Sequence, residues 1–386
     1  MNTTTISSKH IQEFEERLDV RLSTGLRPNF AIVFSSPKQA ISEIQAIMSK
    51  RNIDLIGCTS AGEIVDDLVL ENAIVALLLE VPEGAYKSYV QHIEPGMTAR
   101  STAELMATQV QLSYTQPSIL LLSSGIKNDG SEIVKGIQHV LGKDVTLVGG
   151  LAGDDLQLVK TEVFNNHVTS DNGIAMVAFD TNIIELKGLA ISGWKSIGPV
   201  LEVTRSENNV VYEIDNTPAM KLYNRFVGLS DQKHIVLEEG VKYPLQVYRE
   251  DGTTVLRAPL FSTEDGGLMF PGGIKEGEKV HFCVPPDFDV IDSTVQEFAN
   301  YGKQANTEAD AMILFSCFAR HIAFGPMIRK EIQGIRAVWN KPMIGFFTYG
   351  EIGNTPEGGS DFHNETCSLL LIKEKNKHTI TNTNLS

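Results

Sequence analysis

Three stretches of this chain repeat one plan, and that repetition constrains its fold more than any other feature. The first runs NFAIVFSS, PKQAISEIQAIMSK, IDLIGCTSAGEI; the last runs DAMILFSC, GPMIRKEIQGIRAVW, KPMIGFFTYGEIG. Between them lies SILLLSS, GSEIVKGIQHVLGK, VTLVGGLAGDD, with Gly153-Asp154 in place of Gly-Glu and a shorter spacing. Short apolar runs ending in Ser or Gly read as buried strands, and Ile or Met at helical spacing between them reads as a crossover helix. Pro37 and Pro326 suit helix starts. Each copy is followed by a further apolar run: NAIVALLLEV, NGIAMVAFD or TCSLLLIKE. A helical crossover predicts parallel pairing of the first two strands, and the third then returns antiparallel to cover an edge. The expected class is mixed α/β, with mixed parallel and antiparallel sheets flanked by helices.

The middle of the chain lacks this plan. From Ile183 to Asp215, and again from residue 234 to Val284, alternating runs with turns at Gly198-Pro199, Asn208-Asn209, Asp251-Gly252 and Gly272-Gly273 read as antiparallel strands. A short helix is expected at NTPAMKLYNRFVGL, with Thr217 as N-cap and Pro218 in first place. At 386 residues the chain is long enough for two domains. The division is placed near Asn216, giving 24–215 and 216–376.

A formal net charge of −15 disfavours nucleic acid and anionic membrane surfaces as partners, and no Lys/Arg stripe overrides it. The N-terminus has no signal-peptide core and no apolar run is long enough to span a bilayer, so the expected location is the cytoplasm. Cys58, Cys283, Cys317 and Cys367 are widely spaced with no Cys-x-x-Cys pair, which argues for reduced thiols over zinc or disulfides.

Loops at strand ends are where α/β sheets meet ligands. Cys317 and Arg320 follow one C-terminal strand, Tyr349 and Glu351 the next, and Phe362, His363, Asn364 and Thr366 precede the last; together they make the first candidate site. Arg320 suits a bidentate clamp on a carboxylate, or an internal pair with Glu351. Cys317 beside His363 suits a thiol-dependent enzyme, or is a buried thiol. The second candidate site comprises Ser60, Gly62, Glu63, Gly150 and Asp154. It lacks the Lys-Ser/Thr of a P-loop. Gly62 and Gly350 are expected in turns with positive φ, and the acids are expected to hydrogen-bond neighbouring backbone.

LIGCTSAGEI, VGGLAGDD, GWKSIGPVLEVT, VYEIDNTPAMKLY, YPLQV, LRAPL, SCFAR, GFFTYGEIG and FHNETCSLLLI occur in the order of the motifs of FIST-domain proteins, which the chain resembles from Arg27 to Glu374. The resemblance implies an N-terminal FIST module and a C-terminal sensory one, without catalytic activity, in a bacterial signal-transduction sensor of small ligands. It is nearest to the stand-alone branch that binds haem and senses nitric oxide. That branch implies haem b, not covalently attached, and a separate histidine kinase or cyclic-di-GMP enzyme as partner, with a homodimer as the expected assembly. Iron would fall to His363, with His321 or His281 as alternatives; each of these also suits a structural hydrogen bond. The non-haem version of the sensor binds an amino acid or similar carboxylate.

Overall fold

The computed structural model describes residues 1–229, 237–249, 252, 254–285, 289–304, 307–354 and 359–375, with 237 and 238 described by backbone alone. His234 and His378 lie outside these. The first repeat comprises β1 (Thr3–Ser8), α1 (Ile11–Ser23), β2 (Phe30–Ser35), α2 (Ile41–Ser49), β3 (Asp54–Thr59), β4 (Glu63–Val65), β5 (Leu68–Leu70) and β6 (Ile74–Leu79). The second repeats that order: β7 (Tyr86–His92), α3 (Ala99–Ser113), β8 (Pro117–Ser123), α4 (Gly130–Leu141), β9 (Leu147–Leu151), β10 (Val163–Asn165), β11 (Thr169–Ser170) and β12 (Gly173–Asp180). The third opens with β13 (Ile184–Ile191) and is then interrupted. The interruption holds β14 (Lys195–Glu207), β15 (Val210–Ile214), β16 (Thr217–Pro218), α5 (Ala219–Val227), α6 (Leu237–Gly240), β17 (Leu245–Tyr248), β18 (Thr254–Arg257), β19 (Phe261–Ser262), β20 (Leu268–Met269) and β21 (Lys279–Val284). It resumes with α7 (Asp289–Gln304), β22 (Ala311–Cys317), α8 (Phe318–Phe324), α9 (Ile328–Trp339), β23 (Met343–Thr348), β24 (Glu351–Asn354), β25 (Ser360–His363) and β26 (Cys367–Glu374). The prolines sit slightly off the expected starts. Pro326 lies in a 3-10 turn before α9, and Pro218 is itself the cap of α5 in place of Thr217.

The three repeats build three six-stranded sheets of identical plan, ordered β1-β6-β2-β3-β10-β11, β7-β12-β8-β9-β24-β25 and β13-β26-β22-β23-β4-β5. In each, the strands before and after the crossover helix pair parallel (β2 with β3, β8 with β9, β22 with β23) and the returning strand lies antiparallel against the first of them, as the sequence predicts. The hairpin after each glycine loop leaves its own sheet. The first repeat gives β4 and β5 to the third, the third gives β24 and β25 to the second, and the second gives β10 and β11 to the first. Register repeats too: Gly57 lies opposite Phe164, Gly149 opposite Ile352, and Gly345 opposite Ile64. A cycle of backbone bonds ties the loops together, Ala61 N–H to Phe347 O at 3.2 Å, Tyr349 N–H to Leu151 O at 3.1 Å and Gly153 N–H to Thr59 O at 3.1 Å.

These contacts correct the alignment of the middle copy. Gly153 stands where Ala61 and Tyr349 stand, so the spacing is not shortened there, and Val163 occupies the register position of Glu63 and Glu351. The recurring glycine of the second strand is required by close approach. A Cβ would lie 2.2 Å from Val33 O at Gly57, 1.7 Å from Leu121 O at Gly149 and 2.3 Å from Leu314 O at Gly345. The loop glycines differ from each other. Gly62 has φ +111, as expected, whereas Gly350 is needed because a Cβ would meet the Phe362 ring at 2.4 Å.

The central strands of these three sheets are buried on both faces, which is why they read as continuous apolar runs. One face of β2, β8 and β22 contributes Phe34, Leu122 and Phe315 to a shared core, where Phe34 packs on Phe346 at 4.5 Å and on Phe315 at 6.2 Å. The other face packs under helices: α1 and α2 through Phe14 and Ile44, α3 and α4 through Met106 and Ile137, α7 and α9 through Phe298 and Ile332. The fourth sheet, β18-β17-β21-β14-β15-β20-β19, is an insertion between β13 and α7 with a core of its own around Tyr223 and Phe282. Asn216 lies inside it, and strands from either side of Asn216 share three of the four sheets. No described helix is long and apolar enough to cross a membrane.

Candidate functional site

The loop acids are satisfied within the protein. Glu63 is fully buried, accepting from Ser60 Oγ at 2.5 Å and from Ala73 N–H at 2.9 Å; burial pushes its carboxyl up to about 7. Glu351 accepts from Thr348 Oγ1, from Thr366 Oγ1 at 2.9 Å and from Thr366 N–H at 3.2 Å, and burial pushes it up to about 8. Asp154 accepts from the N–H groups of Leu158, Val159 and Lys160 at 3.0, 2.7 and 2.9 Å, and from Tyr349 Oη at 2.6 Å. That last bond joins the two sets of candidate residues. Gly150 sits against Thr348, where a Cβ would meet Cγ2 at 2.8 Å.

Cys317, Arg320, Glu351, Phe362, His363, Asn364 and Thr366 do come together at the ends of β22 and β23, but as a packed interior seam and not as the open cleft expected. None of them is more than 6% exposed, and Tyr349 is half-buried. Arg320 is fully buried on a partner the sequence reading did not single out. Its guanidinium holds Glu331 of α9 through Nη2 and through Nε at 3.3 Å, and donates to Ser192 O at 2.7 Å, Thr294 Oγ1 at 3.4 Å and Glu365 O at 3.4 Å. Phe324 and Trp194 flank it at 5.0 and 5.7 Å. Burial lowers the Arg320 pKa but Glu331 outweighs it, so the net shift is upward. The internal pair is therefore with Glu331, not Glu351.

A second buried guanidinium holds the same segment from the inserted sheet. Arg257, from the LRAPL motif, donates to Phe362 O at 3.1 Å, Leu256 O at 2.9 Å and Ser131 Oγ at 3.1 Å, with its guanidinium 5.0 Å from the Phe362 ring centroid. Burial lowers it to about 10. The stretch from Phe362 to Glu365 is thus pinned at one end by Arg257 and at the other by Arg320.

Glu365 is what that clamping presents. It is fully buried, its backbone sits at φ 60, and neither carboxylate oxygen has a partner. The Oδ1 of Asn364 beside it is also buried without a partner. Burial pushes the Glu365 carboxyl well up, Glu351 adds to this and Arg320 opposes it. The neighbours of Glu365 come from both sides of the seam. It raises the pKa values of Tyr223 on α5 after burial and Glu239, of Cys283 on β21 after burial, and of Cys317 after burial and Glu351. Glu365, Arg257 and Glu331 were missed as candidates in the sequence. A usable signal existed for Glu331, which falls on the apolar stripe of α9 with Ile328, Ile332 and Ile335.

Cys317 is held as the neutral thiol, the reverse of the lowered pKa that activates a nucleophile. His363 turns Nε2 to Gly353 O at 3.2 Å, and His281 shares a 2.7 Å bond with Tyr248 Oη. His321 stacks on Phe347 at 4.3 Å, and its Nδ1 is buried without a partner. Among the described residues there is no group of three or more His, Cys, Asp or Glu that could hold a metal ion. A surface hollow lined by Ile11, Glu15, Ile47 and Lys50 contains none of the candidate residues.

Comparison with curated proteins gave no match. Comparison with family models matched the FIST N domain at residues 29–217 and the FIST C domain at residues 219–354. FIST domains are sensor domains of signal transduction. With both modules present in order, and with three of the four sheets built from strands of both, the chain belongs to the FIST-domain family.

Proposed function

We propose that the chain is a small-ligand sensor whose ligand occupies the seam between the inserted sheet and the third repeat. Ligand binding shifts the population between two arrangements of these parts, one of which engages a separate histidine kinase or cyclic-di-GMP enzyme. The observation that carries this reading is Glu365, a fully buried carboxyl with no partner on either oxygen. Leaving a buried polar group unsatisfied costs about 1–3 kcal/mol, more for a charge, so folded chains pair such groups or keep them for function. Its left-handed backbone adds strain of the kind retained at ligand sites. The location, beyond the carboxyl ends of the parallel strands β22 and β23, is where α/β sheets take ligands.

The test is a thermal-shift screen of a small-molecule library against the full chain and Glu365→Asn, a variant that keeps a residue tolerant of positive φ. The reading expects saturable stabilisation of the wild type by at least one compound class, lost in the variant. A wild type that responds to nothing, beside a variant that is simply more stable, removes it.

One observation favours a second reading, haem as a nitric oxide sensor: the unpartnered Nδ1 of His321, next to Phe347 and Phe318. His363 fits iron less well, since its Nε2 already faces Gly353 O. Bound haem would supply an iron position for nitric oxide. Protein produced in haem-replete cells should then show a Soret band that moves on nitric oxide and is lost in His321→Ala. A colourless protein that cannot be reconstituted ends this version.

A further inference from the structure

Most of the unsatisfied atoms around Glu365 are acceptors, while Arg257 Nε, at the Phe362 end of the segment, is a buried donor without a partner. Both oxygens of Glu365, Oδ1 of Asn364 and Oε2 of Glu239 on α6 are buried acceptors without donors. Tyr223 brings them into one neighbourhood, because Glu239 and Glu365 both raise its hydroxyl pKa, after burial. Two donors that face Glu365, Tyr223 and Arg320, are committed elsewhere. Tyr223 Oη faces Tyr243 O at 3.1 Å and Glu239 O at 3.3 Å, and Arg320 is taken up by Glu331, Ser192, Thr294 and the Glu365 carbonyl. Val241, Cys317 and Ala319 pack into a small apolar wall beside the acceptors. With Glu365 ionised, such a lining disfavours a carboxylate or phosphate, which would add acceptors to acceptors. It suits a group that brings N–H donors and a positive charge.

We propose that the seam binds a small organic cation with N–H donors, a primary ammonium or a guanidinium, seated on the Glu365 carboxylate with its apolar portion against Val241, Cys317 and Ala319. This rests on the sensor reading and reverses the polarity of ligand expected from Arg320. The groups facing Glu365 are Glu351, Arg320, Tyr223, Cys283 and Cys317, with Glu239 beyond Tyr223. Arg320 is balanced by Glu331. Burial, then Glu351, favours the protonated form of the empty carboxyl, burial pushes the Cys283 thiol up to about 12, and Cys317 stays neutral. An arriving ammonium ionises Glu365, and one proton leaves to solvent for each cation bound. Affinity therefore rises with pH, by up to tenfold per unit while Glu365 is protonated in the empty site and the ligand amine remains charged.

The experiment is titration calorimetry of the full chain with n-butylammonium, 1,4-diaminobutane and guanidinium. Tetramethylammonium, acetate and 1-butanol serve as comparisons, in two buffers of different ionisation enthalpy at pH 7 and 8. The proposal expects saturable binding of at least one N–H cation, near one proton released per cation, and no binding of tetramethylammonium or acetate. Affinity should fall at least tenfold in both Glu365→Gln and Glu365→Asn, so that one misfolded variant does not decide the matter. Unchanged affinity in both variants, or binding without proton release, overturns the cation site. If acetate or butanol binds in a Glu365-dependent way and the ammonium does not, the cation class is wrong while the sensor reading stands. If none of the probes and no library compound binds, both fail.

Discussion

Replacing Arg320 with Ala removes one half of a buried ion pair and leaves Glu331, 1% exposed, with its charge uncompensated inside the α7–α9 core. Breaking a buried pair from one side costs about 3–5 kcal/mol. The bonds to Ser192 O and Thr294 Oγ1, and the packing on Phe324, are lost with it. Against a typical total stability of about 5–15 kcal/mol, a loss of about 4 kcal/mol is large. Urea unfolding followed by tryptophan fluorescence reports it, since Trp194 lies 5.7 Å from the guanidinium. Arg320→Lys should recover only part, because an ammonium cannot reproduce the forked contact with Glu331. The joint replacement Arg320→Met with Glu331→Leu should cost less than either single change, since an apolar pair dispenses with the desolvation of both charges. In double-mutant cycles Arg320 should couple to Glu331 by about 2 kcal/mol or more and to Glu351 by under about 0.5 kcal/mol. An Ala variant within about 1 kcal/mol of the parent, or coupling that follows Glu351, refutes the reasoning.

The three strand glycines make a second test: Gly57→Ala, Gly149→Ala and Gly345→Ala should each lower stability by about 2 kcal/mol or more, because the added Cβ meets backbone carbonyl oxygen within 2.3 Å. Melting points unchanged in all three would disprove the close approach. The loop glycines should separate by rescue: Phe362→Leu restores part of the loss in Gly350→Ala and none of that in Gly62→Ala, whose fault is φ. Equal rescue of both would show that Gly350 too is a conformational glycine. For pH, burial holds Glu63 near 7 and Glu351 near 8 against an ordinary 4.5, so the folded state binds more protons than the unfolded state between these values. Their contribution is intact below about pH 4.5 and is lost progressively as pH rises from there through 7 and 8, by up to about 8 kcal/mol in all. In paired melts at pH 5.5 and 8, Glu63→Gln and Glu351→Gln should flatten that dependence; a slope as steep as the parent's would contradict it.

The repeated strand-helix-strand plan was legible because the central strands are buried on both faces, so FAIVFS, SILLLS and AMILFS stand out as unbroken apolar runs. The exchange of hairpins was not. A strand of three residues such as Glu63–Val65 carries no local mark of its partner, and it pairs with β23, almost three hundred positions away. The insertion of the fourth sheet within the third repeat was hidden for a related reason, since β13 reads as continuous with the antiparallel run that follows it. At the seam, the residues flanking Glu365 drew attention through the family motif. Glu365 itself is distinguished only by what it lacks, a hydrogen-bond partner, and that is a property of three-dimensional packing. Arg257 and Glu331 were passed over because charged residues in amphipathic segments ordinarily face solvent.

The sensor assignment is tested most directly by hydrogen–deuterium exchange of the full chain with and without a saturating small-molecule extract. The account predicts new protection concentrated in peptides spanning 362–367, Tyr223 and Cys283, and its absence in Glu365→Asn. Protection confined to the hollow lined by Ile11 and Lys50, or no change anywhere, would contradict it.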